Sequence, residues 1–353
     1  MDLVPLVEHI GEAPAAALFG LLTGAVFGVA AQRSRFCLRA ATVEFASGRL
    51  GDKVAVWLLT FSTAVVWVQA AQMLDLMDSA DARMMAVPGS WSGAILGGLM
   101  FGGGMVLARG CSGRLLVLAA TGNLRSVVSG LIFAVVAQMS LSGLLSPSRD
   151  WLAGLWITEG GRNLDLLAAL GLPKAGGLAL GLATAALALV LAQRNRIGAK
   201  RLIFASGVGF AVALGWVLTY ALSQVSFDPV QIESATFTGP SAHTLMFFLD
   251  RNAVLEFDIG LVPGVFIGAM LAAALAGEMK LQAFDSPSTM RKAMIGAALM
   301  GFGGMLAGGC AIGAGVTGGS IFTGTAWAAL FCMWAGAVAT SLLIRDHAES
   351  LRV

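Results

Sequence analysis

Three cysteines lie in short breaks between long apolar runs, at points where a membrane helix has to stop. The breaks are rich in glycine or arginine; they span 34–39, 109–114 and 308–313, and they contain Cys37, Cys111 and Cys310. A thiol is a weak hydrogen-bond donor on a soft, polarisable sulfur. Such a group suits a small ligand that itself carries soft sulfur and negative charge, so we interpret these three cysteines as substrate-binding residues.

The neighbours of these cysteines are secondary candidates for the same path: Arg109, Arg114, Gly110 and Gly309. The fourth cysteine, Cys332, lies in an uninterrupted apolar run, and we assign it to helix packing. The cysteine spacing contains no C-x-x-C pair. The sequence therefore predicts no zinc site, no other metal ligand and no cofactor.

A membrane thiol enzyme or sulfurtransferase, with Cys111 or Cys310 as its nucleophile, is the alternative from a different class. Such an enzyme needs a base beside its thiol. No His, Asp or Glu lies within ten residues of either cysteine. We therefore expect a protein that is not an enzyme and has no catalytic residue.

The composition is that of a membrane protein. Hydrophobic residues make up 57% of the chain and charged residues 12%, whereas a soluble domain has about 25% charged residues. A soluble globular fold is excluded on this ground. The net charge of +2 gives no indication of nucleic-acid binding.

Nine apolar runs are long enough to cross a bilayer, which takes about 20 residues. They cover approximately 14–31, 54–74, 90–107, 124–145, 173–193, 202–223, 259–276, 290–307 and 320–344. We predict an all-α polytopic membrane protein that forms one integral membrane domain over residues 1–353.

Short helix-capable stretches follow two of the cysteines, at 115–121 and 314–319. They are too short to span, so we predict re-entrant or half helices, which survive at membrane depth only where they line a cavity or are buried in protein. If these helices begin near Ser112 and Ala311, their N-terminal N–H groups face the thiols and favour an anion.

An internal repeat surrounds the same two cysteines. Segment 99–111 resembles 298–310, and a Thr-Gly pair follows each, at 121–122 and 317–318. Alternating spans make the two copies inverted relative to each other, as in many transporters. We predict a pseudo-twofold inverted repeat with a first half at about 14–172, a central helix at about 173–193 and a second half at about 202–344.

The loop charges predict the orientation. The strongest basic cluster lies between the fifth and sixth runs, at 194–201, and the positive-inside rule places it in the cytoplasm. Alternation then places 75–89, 146–172 and 224–258 outside, with short interfacial helices expected in the second and around 243–250. The N-terminus is expected to be periplasmic and the C-terminus cytoplasmic.

The three cysteine segments, 35–41, 108–123 and 308–315, resemble the YeeE/YedE family of sulfur-transport membrane proteins, and the resemblance extends over about 14–344. It implies a nine-span inverted-repeat transporter that takes up thiosulfate across the bacterial inner membrane. It also implies that Cys37, Cys111 and Cys310 contact the substrate on a narrow central path.

The resemblance also bears on partners and alternatives. Some family members work beside a small soluble TusA-like sulfur carrier, which would be a separate chain here, because the sequence ends about nine residues after its last apolar run. The membrane lipid is the other expected partner. Other members are assigned to different sulfur or selenium compounds, so that alternative substrate stays open. The sequence has no recognisable ATP site, and we expect transport that is passive or coupled to an ion gradient.

Overall fold

The protein is all-helical over the part that the structure, a computed structural model, describes: residues 3–251, 253–283 and 286–350, the last six as backbone. The α-helices are α1 (Val4–Ile10), α2 (Glu12–Ser34), α3 (Leu38–Ala46), α4 (Asp52–Met73), α5 (Arg83–Ala86), α6 (Trp91–Leu107), α7 (Ser112–Ala120), α8 (Leu124–Ser142), α9 (Ser146–Gly154), α10 (Leu166–Ala169), α11 (Lys174–Arg194), α12 (Ala199–Ser223), α13 (Thr238–Leu249), α14 (Phe257–Leu275), α15 (Pro287–Leu306) and α16 (Gly324–Ser350). A π-helix, Ala311–Gly318, follows α15.

Nine segments of the described chain are long and apolar enough to cross a membrane. They coincide with the nine predicted runs, so the prediction of an all-α, multi-pass membrane protein is confirmed. Three of the segments are longer than one span because each joins a long helix to a short one across a break; they are Glu12–Ala46, Trp91–Ala120 and Pro287–Gly318. These are the three segments that carry the cysteine breaks.

Glycines let the long helices touch backbone to backbone. Helices α2 and α14 run parallel, and a Cβ atom on Gly20, Gly24 or Gly28 would collide with a carbonyl oxygen of α14. Helices α6 and α15 run antiparallel, since Gly97 lies against Gly303 and Gly104 lies against Gly296. Such close approach increases dispersion contacts in an environment where the hydrophobic effect does not drive helix association.

The loops lie on two opposite faces of the protein, and on each face hydrogen bonds connect segments that are distant in sequence. On the first, which we call the basic face, Arg201 donates to the Ser34 carbonyl at 2.9 Å and Gln32 donates to Glu278 at 3.0 Å. On the second, which we call the acidic face, the Phe227 N–H donates to Glu12 at 2.7 Å. This grouping agrees with alternating helix directions.

The segment between α12 and α14 differs from the predicted outer loop. Ala235 and Phe237 are fully buried, and Thr238 is 1% exposed. The extended stretch 231–237 enters the protein, and α13 leads out again while packing against α8 and α14. The segment was read as a loop because its buried part is too short and too polar to register as a membrane span.

The inverted repeat stays a prediction, which the packing favours. Exchanging the two predicted halves maps the neighbouring pair α2 and α14 onto α12 and α4, which are also neighbours, and maps α6 and α15 onto each other. The two Thr-Gly pairs differ in local structure: Thr317-Gly318 lies inside the π-helix, whereas Thr121-Gly122 forms the turn after α7. The matching turn is at 321–323.

Replacing Gly97 by Ala tests the close contact of α6 and α15. The added Cβ would lie 2.5 Å from the Gly303 oxygen and from the Ala307 nitrogen, so the helices must separate, at a cost of about 1–3 kcal/mol. We expect a clearly lower melting temperature of the detergent-solubilised protein. Gly130→Ala in α8 is the matched control, because nothing lies within 4 Å of its added Cβ. Equal melting temperatures for the two variants would contradict the packing argument.

Candidate functional site

Each of the three candidate cysteines is the residue that immediately precedes a short helix. Cys37 caps α3, Cys111 caps α7 and Cys310 caps the π-helix. The first N–H groups of a helix have no partner within it. The device that the sequence indicated at two cysteines is therefore present at all three, and α7 and the π-helix begin at the predicted residues, Ser112 and Ala311.

A left-handed backbone conformation two residues before each cysteine makes the break. The φ angle is 55° at Arg35, 59° at Arg109 and 75° at Gly308. This conformation is uncommon for residues other than glycine and ends a right-handed helix. Arg109 and Gly308 occupy equivalent positions in the two copies of the predicted repeat, and both are exposed.

Two of the cysteines lie side by side. The thiols of Cys37 and Cys111 are close enough to share a hydrogen bond, although α3 and α7 are separated in sequence by two spanning helices. Cys37 is half-buried and Cys111 is buried. These two thiols therefore lie close enough to contact one small ligand together.

A small cavity adjoins Cys111, with room for about one water molecule. Its wall includes Arg114 from α7, the aromatic rings of Phe27 and Phe36, and Ile312. Because Ile312 is the second residue after Cys310, this cavity lies between the starts of α7 and the π-helix. The cavity therefore adjoins Cys111 and reaches Ile312 at the start of the π-helix.

Two buried polar atoms at the start of α7 have no hydrogen-bond partner in the protein. They are Nη1 of Arg114 and Oγ of Ser112. No side chain caps α7 either. A buried cationic donor without a partner is costly, so this arrangement is suited to an anion in the cavity. Sequence analysis missed Ser112, because serine at a helix start is ordinary.

Cys310 is enclosed by the buried stretch between α12 and α13. Its sulfur accepts a hydrogen bond from the Gly313 N–H at 3.4 Å. Thr317 of the π-helix donates to the Ala235 carbonyl, and Phe237 packs against Phe27 with ring centroids 5.0 Å apart. Ala235 and Phe237 are additions to the site that the sequence did not indicate, since their segment read as an outer loop.

Two larger cavities open on opposite faces and lead toward the cysteines. The one on the basic face has a volume of about 240 Å³ and is lined by Arg39, Arg109 and Lys292 among others. The one on the acidic face has a volume of about 230 Å³ and reaches Gly308, two residues before Cys310. We call them the basic and the acidic vestibule.

The sequence of the chain matches the family model described as sulphur transport over residues 33–339. The chain belongs to this family. The thiosulfate transporter TsuA of Escherichia coli (strain K12) is 27% identical over 345 residues, which cover 93% of this chain and 94% of that protein. The thiosulfate transporter TsuA of Spirochaeta thermophila (strain ATCC 700085 / DSM 6578 / Z-1203) is 29% identical over 324 residues, covering 85% and 90%.

The family membership confirms the resemblance read from the cysteine segments, and with it a role in sulfur-compound transport. The remaining candidates take different positions around the site. Arg109 lines the basic vestibule, whereas Gly110 and Gly309 are buried in the breaks. Cys332 lies on α16 against Gly98 of α6, which fits the packing role assigned to it.

The two glycines before the cysteines are expected to differ in tolerance. A Cβ on Gly309 would lie 2.7 Å from the Ala314 nitrogen, whereas the nearest atom to one on Gly110 would be the flexible end of Leu115, at 3.4 Å. Gly309→Ala must therefore displace the start of the π-helix, at a cost of about 1–3 kcal/mol, and Gly110→Ala serves as its control. Melting curves in detergent measure both. A Gly110→Ala variant that melts as low as Gly309→Ala would refute the assigned contacts.

Proposed function

We propose that this protein is a bacterial inner-membrane transporter that takes up thiosulfate through a narrow central path bordered by Cys37, Cys111 and Cys310. One observation carries the proposal: three cysteines occupy the N-cap positions of three short helices, and the small cavity beside Cys111 is also lined by Arg114, whose Nη1 has no partner in the protein. The relatives named thiosulfate transporters support the choice of anion.

The proposed route runs from the acidic to the basic vestibule. The positive-inside rule assigns the basic face to the cytoplasm, which makes the N-terminus periplasmic and the C-terminus cytoplasmic. The anion enters beside Gly308, passes Cys310, reaches the pair Cys111 and Cys37, and leaves past Arg39 and Arg109. The predicted inverted repeat gives this route its two opposed breaks.

Several weak interactions share the task of holding the anion. Burial of a doubly charged ion is very costly unless its hydration is replaced, and conduction needs sites weak enough to release the ion. Helix N-termini supply oriented N–H groups and a positive dipole end. The thiols act as neutral donors with a soft sulfur, and Arg114 supplies the single cation at the central cavity.

Passage requires the central cavity to widen. Its present size holds about one water molecule, which is less than thiosulfate needs. Phe27, Phe36 and Ile312 form its apolar wall, so their side chains are the ones that must move aside. We infer that they form a gate between the Cys310 site and the pair Cys37 and Cys111.

The proposed exit faces the cytoplasm, where a separate TusA-like sulfur carrier could accept the product. Lys292 and Arg39 line the vestibule on that side, and they would attract the anion toward the carrier. An ion gradient is the proposed energy source for uptake. The surrounding membrane lipid is the other partner.

Replacing Cys37, Cys111 or Cys310 by Ala should each reduce uptake by about tenfold or more, since a donor to the anion is lost. Cys332→Ala is the matched control and should transport normally. Uptake of labelled thiosulfate into proteoliposomes measures this, with sulfate, sulfite and selenite as competitors. Stronger competition by selenite than by unlabelled thiosulfate would shift the assignment to selenium compounds.

Serine variants and mass spectrometry separate the roles of the sulfur. Serine keeps a hydroxyl donor but lacks the soft sulfur. Full uptake by all three Cys→Ser variants would therefore mean that these side chains contribute to transport only as hydrogen-bond donors. A persulfide or thiosulfonate adduct on Cys111 or Cys310 that forms and decays at the transport rate would contradict non-covalent binding by neutral thiols. It would indicate covalent transfer, as in a sulfurtransferase.

Arg114 and Arg109 should differ in importance. Arg114→Gln removes the cation beside the central cavity, and we expect uptake to fall by about tenfold or more. Arg109→Ala removes a cation from the solvated vestibule and should reduce uptake by a smaller factor than Cys111→Ala. Initial uptake rates at several thiosulfate concentrations provide the test. Equal losses in Arg109→Ala and Arg114→Gln would contradict a special role for the central cavity.

A further inference from the structure

Arg83 is the charged residue of the acidic vestibule. Among the described residues that line this cavity, the other members are apolar or neutral, such as Ser90, Asn163 and Thr325. An anion that enters here therefore meets one cation before it reaches the break at Gly308. The state of Arg83 determines how strongly this entrance attracts an anion.

A buried carboxylate pairs with Arg83. Oε2 of Glu233 lies 3.7 Å from Nη2 of Arg83, and the Glu233 side chain is 11% exposed whereas that of Arg83 is 48% exposed. The backbone holds the pair together, because the Arg83 N–H donates to the Ile232 carbonyl at 3.0 Å. The Thr219 hydroxyl also holds the Glu233 backbone: it donates to the Glu233 carbonyl at 2.7 Å and accepts from the Glu233 N–H at 3.2 Å.

Further carboxyl groups surround Glu233 from several elements. Asp258 and Glu256 lie at the start of α14, and Glu12 of α2 and Asp228 line the cavity beside Glu233. Asp258 is 4% exposed, and its Oδ1 has no partner. Its Oδ2 lies 2.9 Å from Nδ1 of His243 on α13, so His243 balances one charge of the cluster and Arg83 another.

These surroundings favour a neutral Glu233. Burial of its side chain is the main cause that raises the pKa of Glu233 well above its usual range, and the charge of Asp258 adds to this effect, while Arg83 opposes it. The hydrogen bond to Asp258 raises the pKa of His243, which favours a charged histidine beside Asp258. Glu233 is therefore a carboxyl group that readily takes up a proton.

We propose that Glu233 is a proton-binding residue that controls Arg83 at the entrance of the transport path. When Glu233 is ionised it neutralises Arg83, and when it carries a proton it leaves Arg83 able to bind the incoming anion. Anion binding and proton binding at this vestibule then strengthen each other, as linkage requires. The inference rests on the proposed transport of thiosulfate and adds its coupling to protons.

Proton coupling answers an electrostatic need of uptake. A dianion that enters a cell moves against the inside-negative membrane potential. A proton taken up with it cancels part of the charge that crosses. The Glu233 carboxylate receives the proton from the acidic face, and no covalent bond other than O–H forms or breaks.

The test measures binding and uptake of labelled thiosulfate by the whole protein in proteoliposomes, with external pH varied from about 5.5 to about 8. We expect wild-type affinity to rise as external pH falls, by about tenfold per pH unit at most for one linked proton. Glu233→Gln imitates the protonated side chain and should bind with the high affinity at every pH. Arg83→Gln should bind weakly at every pH.

Two control variants test the assignment to Glu233. Asp228→Asn removes a carboxylate from the same cluster, and His243→Gln removes its histidine. Both should keep a pH dependence, and in His243→Gln it should move to higher pH because the charge of Asp258 is no longer balanced. Glu233→Gln protein that still shows the wild-type pH dependence would overturn the proposal, and so would loss of that dependence in His243→Gln alone. Melting curves confirm that each variant is folded.

The outcomes for wild-type protein separate this inference from the proposed function. Thiosulfate uptake that needs the three cysteines but does not depend on external pH refutes proton coupling and leaves the proposed function standing. A wild-type protein that neither binds nor transports thiosulfate at any pH refutes both.

Discussion

An interrupted helix inside a membrane leaves N–H groups that neither water nor the helix itself can satisfy, and the rest of this structure accommodates that constraint. The chain breaks in this way at Cys37, Cys111 and Cys310. Glycine-mediated contacts between long helices and the buried stretch 232–237 enclose the breaks in protein. At α7 the break borders a small internal cavity lined by Cys111 and Arg114, where we propose that the N–H groups bind an anion. The destabilising feature of the fold is therefore the feature that suits it to bind one.

In the two predicted halves, the short segments that follow Cys111 and Cys310 differ in length by one residue. A residue with positive φ ends the first short segment at Gly122, eleven positions after Cys111, and the second at Phe322, twelve positions after Cys310. The additional residue accounts for the wider turns of the π-helix, which commonly marks a functional site. The residue before α13, Phe237, stands where the repeat would require a counterpart of Cys37. In the predicted repeat, the second half then has an apolar ring at the position where the first half has the thiol of Cys37.

Much of the fold follows from residue types in the sequence, whereas contacts between distant segments do not. Runs of apolar residues predict the nine spans, and glycine or arginine beside a cysteine predicts the breaks. The sequence does not indicate the buried stretch at 232–237, because its burial comes from the helices around it and not from its own hydropathy. Likewise, Arg83 and Glu233 belong to two different predicted outer loops, and the sequence does not indicate that they form a pair in the fold. The resemblance to a known family implies that Cys37 and Cys111 lie on one path, and in the fold their thiols lie side by side at the starts of α3 and α7.

The distribution of positive charge along the proposed path explains how an anion is both attracted and released. Arg83 at the entrance is half-exposed and paired, and Arg114 is the cation at the narrow centre. The basic vestibule holds Arg39, Arg109 and Lys292. A charge interaction is strongest where water is excluded and weakens where solvent and salt screen it. With a single cation and neutral thiol donors, the centre does not bind the anion too tightly for release. The more numerous cations at the exit interact with the anion through solvent, which weakens their attraction. The path therefore draws the anion toward the basic face without holding it there.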